Sequence, residues 1–238
     1  MPKKTKQDRK QDAVNSLANQ RRFILSEKSN FHVREAYKTL RTNVRFFLNE
    51  EGCQKICITS GAMSEGKSIT ILNLAISIAE DSKRVLLIDA DMRRPTLARL
   101  LNKPVAPGLS NVLAGLASDK EAIHKNVYPN LDVLFAGDIP PNPSELLGSR
   151  RMHELLDNLS EKYDYILVDT PPVNVDTDTC VVANMLHGVL YLVRKDKADR
   201  DSVARGVNQL KLTGARLLGF VINGADASVD KRYVSEYK

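Results

Sequence analysis

The sequence predicts an α/β fold, with a mostly parallel central sheet flanked by helices on both faces. Three observations carry this. Short runs such as Val85-Leu86-Leu87-Ile88 and Tyr165-Ile166-Leu167-Val168 are apolar throughout, as strands buried on both sides are. Stretches with helical periodicity separate them, and strand–helix alternation builds a parallel sheet. The third is the loop Gly61-Ala62-Met63-Ser64-Glu65-Gly66-Lys67-Ser68, which fits the phosphate-binding pattern G-x4-G-K-[ST] at every fixed position.

In chain order, residues 1–30 form a polar, basic arm. Residues 1–22 hold seven Lys and Arg against two Asp, which leaves the rest of the chain only +1 of the overall +6. Positive charge confined to an arm, rather than spread over a folded face, argues against a nucleic-acid partner. The arm either meets an anionic surface or is simply solvated. Phe31 to Asn49 reads as an amphipathic helix, with Val33, Ala36, Tyr37, Leu40, Val44 and Phe47 at three- and four-residue steps. Ile56 to Ser60 is the strand that leads into the glycine loop, and Ile69 to Ala79 the helix that leaves it. Residues 102–148 are rich in Gly and Pro, with short pieces and little periodicity. Beyond them come a helix at Arg150–Leu159, a helix at Asp178–Leu186, a strand at Val189–Val193, a helix at Ser202–Leu212 and a strand at Leu217–Ile222. The domain is expected over 31–224, with 225–238 a flexible tail. At 238 residues and 42% hydrophobic, one substantial core is affordable. No apolar run approaches the ~20 residues of a membrane helix, and no leader pattern opens the chain. The cysteines Cys53, Cys57 and Cys180 make no ligand pattern, and their odd number suits a reducing cytosol.

The chemistry centres on the loop. Gly61 and Gly66 let Ala62, Met63, Ser64 and Glu65 turn their amides inward, and the helix that opens near Ser68 and Ile69 adds its positive end. Lys67 would reach the β- and γ-phosphates of ATP, and the Ser68 hydroxyl would ligate Mg²⁺. Strands deliver Asp89, Asp91 and Asp169 to the same rim, where ligands of such sheets bind. Each acid taken alone could be a helix cap. Beside a phosphate loop the three suit Mg²⁺, which takes few carboxylates and keeps waters.

The loop, Val85-Leu86-Leu87-Ile88-Asp89-Ala90-Asp91-Met92-Arg93 and Ile166-Leu167-Val168-Asp169-Thr170-Pro171-Pro172 together resemble the Walker A, A′ and B motifs of bacterial tyrosine kinases, a P-loop NTPase family of capsular and extracellular polysaccharide synthesis. Pro140-Pro141-Asn142-Pro143-Ser144-Glu145-Leu146-Leu147 also looks like that family. The resemblance implies catalytic roles for Lys67, Asp89 and Asp91, with Asp89 accepting the tyrosine's proton, and metal ligation by Ser68, Asp91 and Asp169. Asn223 resembles the adenine-reading Asn of related ATPases, though Asn-Gly is equally a turn. The family phosphorylates its own C-terminal tyrosines, which here would be Tyr233 and Tyr237, in trans within a ring of subunits. Its E-x2-R-x2-R ring motif is matched by Glu35, Lys38 and Arg41, with Lys in place of the first Arg. The resemblance further implies a transmembrane activator supplying a cytoplasmic tail, recruitment to the inner membrane face through it, other protein-tyrosine substrates and a cognate tyrosine phosphatase. Two rivals stand: a MinD/ParA-type ATPase switch, whose signature lysine after the first loop glycine is here Ala62, and a non-catalytic ATP-binding adaptor.

Overall fold

The computed structural model describes residues 20–48 and 51–225. Seven strands form one sheet in the order β3-β4-β2-β5-β1-β6-β7. They are β1 (Gln54–Ser60), β2 (Val85–Asp89), β3 (Ile123–Tyr128), β4 (Leu131–Leu134), β5 (Tyr165–Asp169), β6 (Gly188–Arg194) and β7 (Leu217–Asn223). Every pairing is parallel except that of β3 with β4. The apolar runs are buried on both sides because their alternate residues enter two cores. Ile56, Ile58, Leu87 and Leu167 face one, and Cys57, Leu86, Ile88, Ile166 and Val168 the other.

The first core is closed by α1 (Phe31–Phe47), α2 (Lys67–Ala79) and α3 (Leu97–Leu101). The second is closed by α4 (Leu109–Ala114), α7 (Arg150–Ser160), α8 (Asp178–Ala183) and α9 (Arg200–Leu212). Two short helices, α5 (Asp119–Ala122) and α6 (Pro143–Leu147), lie in the connection that follows α4 and in the one that precedes α7.

The structure refines the sequence reading in three places. Strands β3 and β4 lie in the stretch read as short helical and extended pieces, where His124, Lys125 and Asn126 break the apolar pattern of an edge strand covered on one side. Helix α8 stops at Ala183, short of Leu186. Among the described residues, part of the stretch read as an arm packs onto α2 and α3. Asn73 of α2 donates to the Phe23 carbonyl and accepts from the Leu25 amide, both at 2.8 Å. Arg21 donates to the carbonyls of Arg99 and Leu100, at 2.7 and 3.0 Å, and so satisfies acceptors at the end of α3. The rest of the arm and the tail with Tyr233 and Tyr237 lie outside the described residues.

Candidate active site

The carboxyl ends of β1, β2, β5, β6 and β7 meet a cleft of about 1080 Å³. One wall is the glycine loop. Gly66 has φ +104°, a left-handed conformation that side chains resist, and it caps α2 without any side-chain hydrogen bond. The first amides of α2 are therefore left for an anion. A Cβ on Gly66 would also strike the Asn223 amide, whose Nδ2 donates to the Glu65 carbonyl at 2.8 Å. Asn223 thus ties the end of β7 to the loop while lining the cleft. A Cβ on Gly61 would lie 3.0 Å from both the Ser202 and the Tyr191 hydroxyls. Glu65, a loop residue by sequence, is buried, and the Ala62 amide points at its carboxylate at 3.4 Å. Burial first, and then the charge of Glu65, pushes the Tyr191 phenol up to about 12.

Lys67 is only 7% exposed, and its Nζ donates to Ser60 Oγ at 3.2 Å. Burial lowers its pKa, against the pull of Asp169, Asp91 and Glu65. The structure brings all three predicted acids to this place, in unequal roles. Asp89 is fully buried, and its two oxygens accept from the amides of Asp91, Thr96 and Leu97 at 3.1–3.2 Å. Burial, reinforced by Asp169, holds its pKa well above the usual carboxylate range. Asp91 is half-buried, accepts from the Arg94 amide at 3.0 Å and feels the charge of Lys67. Asp169 is buried with no hydrogen-bond partner on either oxygen. Burial raises its pKa to about 7 in spite of the Ser68 hydroxyl and Lys67 nearby.

An orphaned carboxylate at the end of a phosphate loop is costly, and a cation is what relieves it. Ser68, Asp91 and Asp169 are hard oxygen donors, which fit Mg²⁺. Among the described residues no three His, Cys, Asp or Glu side chains converge as a cage.

Sequence reasoning missed a latch on the A′ loop. Arg93 Nε lies 3.0 Å from Asp178 and 3.2 Å from Asp176, and its guanidinium also reaches the Ser144 hydroxyl, itself bonded to Asp178. The metal-side loop is thereby pinned to α6 and α8. Asp176 and Asp178 are separated from Arg93 by more than 80 residues, so no local pattern announces the contact. The ring motif is engaged within the chain: Lys38 pairs with Glu35 at 2.7 Å, and Arg41 donates to the Ser77 carbonyl of α2.

Sheet, loop and acids define a nucleotide-binding P-loop protein, and a family model described as an AAA domain matches residues 53–187. The chain is similar to the tyrosine-protein kinase YwqD of Bacillus subtilis (strain 168), with 36% identity over 199 residues that cover 84% of each protein. It is 35% identical over 194 residues to the tyrosine-protein kinase ptk of Acinetobacter johnsonii, matching 82% of this chain but 26% of that longer protein. Among solved structures, the chimerical protein CapA2B2 superposes with a TM-score of 0.80 at 37% identity, covering 84% of this chain and 88% of that one. The chain belongs to the bacterial tyrosine-protein kinase family.

Proposed function

We propose that the protein is an ATP-dependent protein-tyrosine kinase that phosphorylates its own C-terminal tyrosines, Tyr233 and Tyr237, in trans, and so regulates polysaccharide synthesis or export. The observation that carries this is the orphaned Asp169 beside Lys67 and Ser68 at the mouth of an anion-binding loop. In this reading the loop amides and Lys67 hold the phosphates of ATP. Ser68, Asp91 and Asp169 would hold Mg²⁺, which supplies charge neutralisation on the transferred group. The tyrosine oxygen attacks the γ-phosphorus, the bond to the bridging oxygen breaks and ADP leaves. Asp89 would take the phenolic proton, a role that requires its ionised form, and through its three amide partners it also fixes the loop that carries Asp91. Asn223 would contact the adenine from the end of β7.

Ala62 stands where a MinD/ParA-type switch has its signature lysine, which favours the kinase over that rival. Among the described residues no helix is long and apolar enough to cross a membrane, so recruitment would fall to a membrane-anchored activator, as would release from the phosphorylated state to a phosphatase. Glu35, Lys38 and Arg41 would join subunits in a ring. The test is γ-phosphate transfer from ATP with site mapping, for wild type and Lys67→Met. Phosphate on Tyr233 and Tyr237 that vanishes in the variant supports the reading. ATP hydrolysis without tyrosine labelling would return the switch, and nucleotide binding with neither would leave the adaptor.

A further inference from the structure

The cleft lining is uneven in charge around the phosphate-binding groups. On the β7 side lie Val221, Ile222 and Asn223, and the cation there, Arg194, is paired with Asp196 at 2.8 Å. The rest of the lining comes from α1, from Arg94, Thr96 and Arg99 at α3, and from Gln20 and Phe23. Its apolar floor is Phe23, Val33 and Tyr37, and its lip carries Arg94 and Arg99, both exposed. Among the described residues neither guanidinium has a carboxylate partner. Asp91, which belongs to the reaction centre, is the sole carboxylate on the cleft lining among those residues. If adenine sits at Asn223, the lining left for the attacking hydroxyl is that of α1, α3 and Phe23.

We infer that this part of the lining is a substrate-peptide subsite that selects a tyrosine flanked by an acidic residue, with Arg94 and Arg99 as the selecting cations. The inference rests on the kinase reading of the same cleft. Phe23, Val33 and Tyr37 offer an apolar surface against which an aromatic ring can pack. The two arginines present forked donors that match a carboxylate on either side of that ring. A lysine or arginine beside the tyrosine meets like charge instead, and repulsion across an interface is how wrong partners are refused. Applied to this chain, the rule separates its two tail tyrosines. Tyr237 lies between Glu236 and Lys238, one acidic and one basic neighbour, whereas Tyr233 follows two basic residues, Lys231 and Arg232, with no acid adjacent. Tyr237 is therefore the preferred acceptor.

The experiment uses the full chain with Mg²⁺ and a non-hydrolysable ATP analogue. Binding of two fluorescent nonapeptides, one with glutamates flanking a central tyrosine and one with lysines there, is followed by anisotropy at low salt. The glutamate peptide is expected to bind about tenfold more tightly, two partly exposed charge pairs each contributing a few-fold. Arg99→Glu and, separately, Arg94→Glu each bring the ratio to one or below. Equal affinities in wild type, or a ratio that both variants leave intact, overturn the subsite. Variants that instead lose the ATP analogue while keeping the peptide ratio assign the arginines to the nucleotide and overturn it equally. With ATP in place of the analogue, phosphate is expected on Tyr237 before Tyr233, and the reverse order counts against the subsite. Absence of phosphotyrosine anywhere on the chain sinks the self-phosphorylation reading, and the peptide ratio still decides the subsite.

Discussion

Two carboxylates stand at opposite ends of the sheet and are treated in opposite ways. Asp132, near the start of β4, accepts from Tyr163 Oη at 2.6 Å, Lys125 Nζ at 2.8 Å and the Asn126 amide at 2.8 Å. Burial works against its charge, but these partners win and its pKa lies below the ordinary 3.8. Asp169, the last residue of β5, makes no close hydrogen bond, and burial pushes it up to about 7 in spite of the Ser68 hydroxyl and Lys67 nearby. The fold is able to satisfy an acid in its sheet and does so where stability is the sole demand. At the rim it leaves one unsatisfied, which costs the free protein stability and keeps oxygens open for a cation. The difference marks where binding was placed ahead of stability.

Asp169→Asn should break this comparison most visibly. Transfer to tyrosine is expected to fall by about 10²- to 10³-fold, because the variant loses charge that neutralises the transferred phosphoryl group. The nucleotide-free protein should move the other way and become more stable. The folded state keeps a proton on Asp169 where the unfolded chain has released it, so wild-type stability falls as pH climbs from about 4 through about 7. The amide has no such dependence. Thermal unfolding without nucleotide should therefore show the variant's advantage growing between pH 5 and pH 8. A constant difference across that range would remove the case for a strained carboxylate.

Asp132→Asn is the mirror experiment. It should lower stability at neutral pH by about 1–3 kcal/mol, the usual cost of disturbing a charged, hydrogen-bonded, half-buried group, and leave the transfer rate alone. Asp132 is ionised in the folded state at pH values where the unfolded chain takes up a proton. Its contribution is present above about 4 and lost as pH falls below that. Denaturant unfolding at pH 7 and pH 3 checks this, and a loss of equal size at both would mean the charge is not what matters.

The contrast also explains what the sequence disclosed. Each rim acid follows a run of apolar residues, and such a run both forms a buried strand and delivers its next residue to the sheet's end. Asp89, Asp91 and Asp169 were legible for that reason. Asp132 was not, since β4 is four residues long and its acid interrupts the pattern. Helix α1 shows the limit of periodicity. Val44 is buried, but Val33 is 43% exposed and, with Tyr37 and Leu40, lines the cleft. An apolar stripe looks the same whether a core or a groove covers it. Glu65 and Asp178 were illegible in another way, because burial of an acid inside a loop or beneath a distant arginine leaves no local trace.

Arg93→Lys sharpens the comparison within the rim. Lysine keeps the charge beside Asp176 and Asp178 but cannot span both carboxylates and the Ser144 hydroxyl as the planar fork does. The loop carrying Asp91 should loosen, with kcat falling about tenfold and the KM for ATP nearly unchanged, as misplacement of a distant positioning group does. Steady-state kinetics supply the split. A rise in KM at constant kcat would make the latch a feature of nucleotide binding instead.

The smallest expected effect concerns Lys38, and it decides between an intrachain and an intersubunit use of the same charges. As it stands, Lys38 reaches Glu35 one helical turn away, and both side chains are 44% exposed. Such a pair contributes about 0.2–1 kcal/mol and is screened by salt. If Glu35, Lys38 and Arg41 face a neighbouring subunit, Lys38→Arg replaces a point charge by a fork able to hold a carboxylate on each side of the contact. The gain per contact stays within that same range of about 1 kcal/mol, but a closed ring repeats it at every interface. Assembly should then appear at a several-fold lower protein concentration in sedimentation velocity, and added salt should reverse the gain. If the pair serves only its own helix, the sedimentation profile will not move and unfolding will shift by a few tenths of a kcal/mol at most. Arg41 already donates to Ser77 within its own chain, so a shift in assembly would have to arise at residue 38, away from that internal contact.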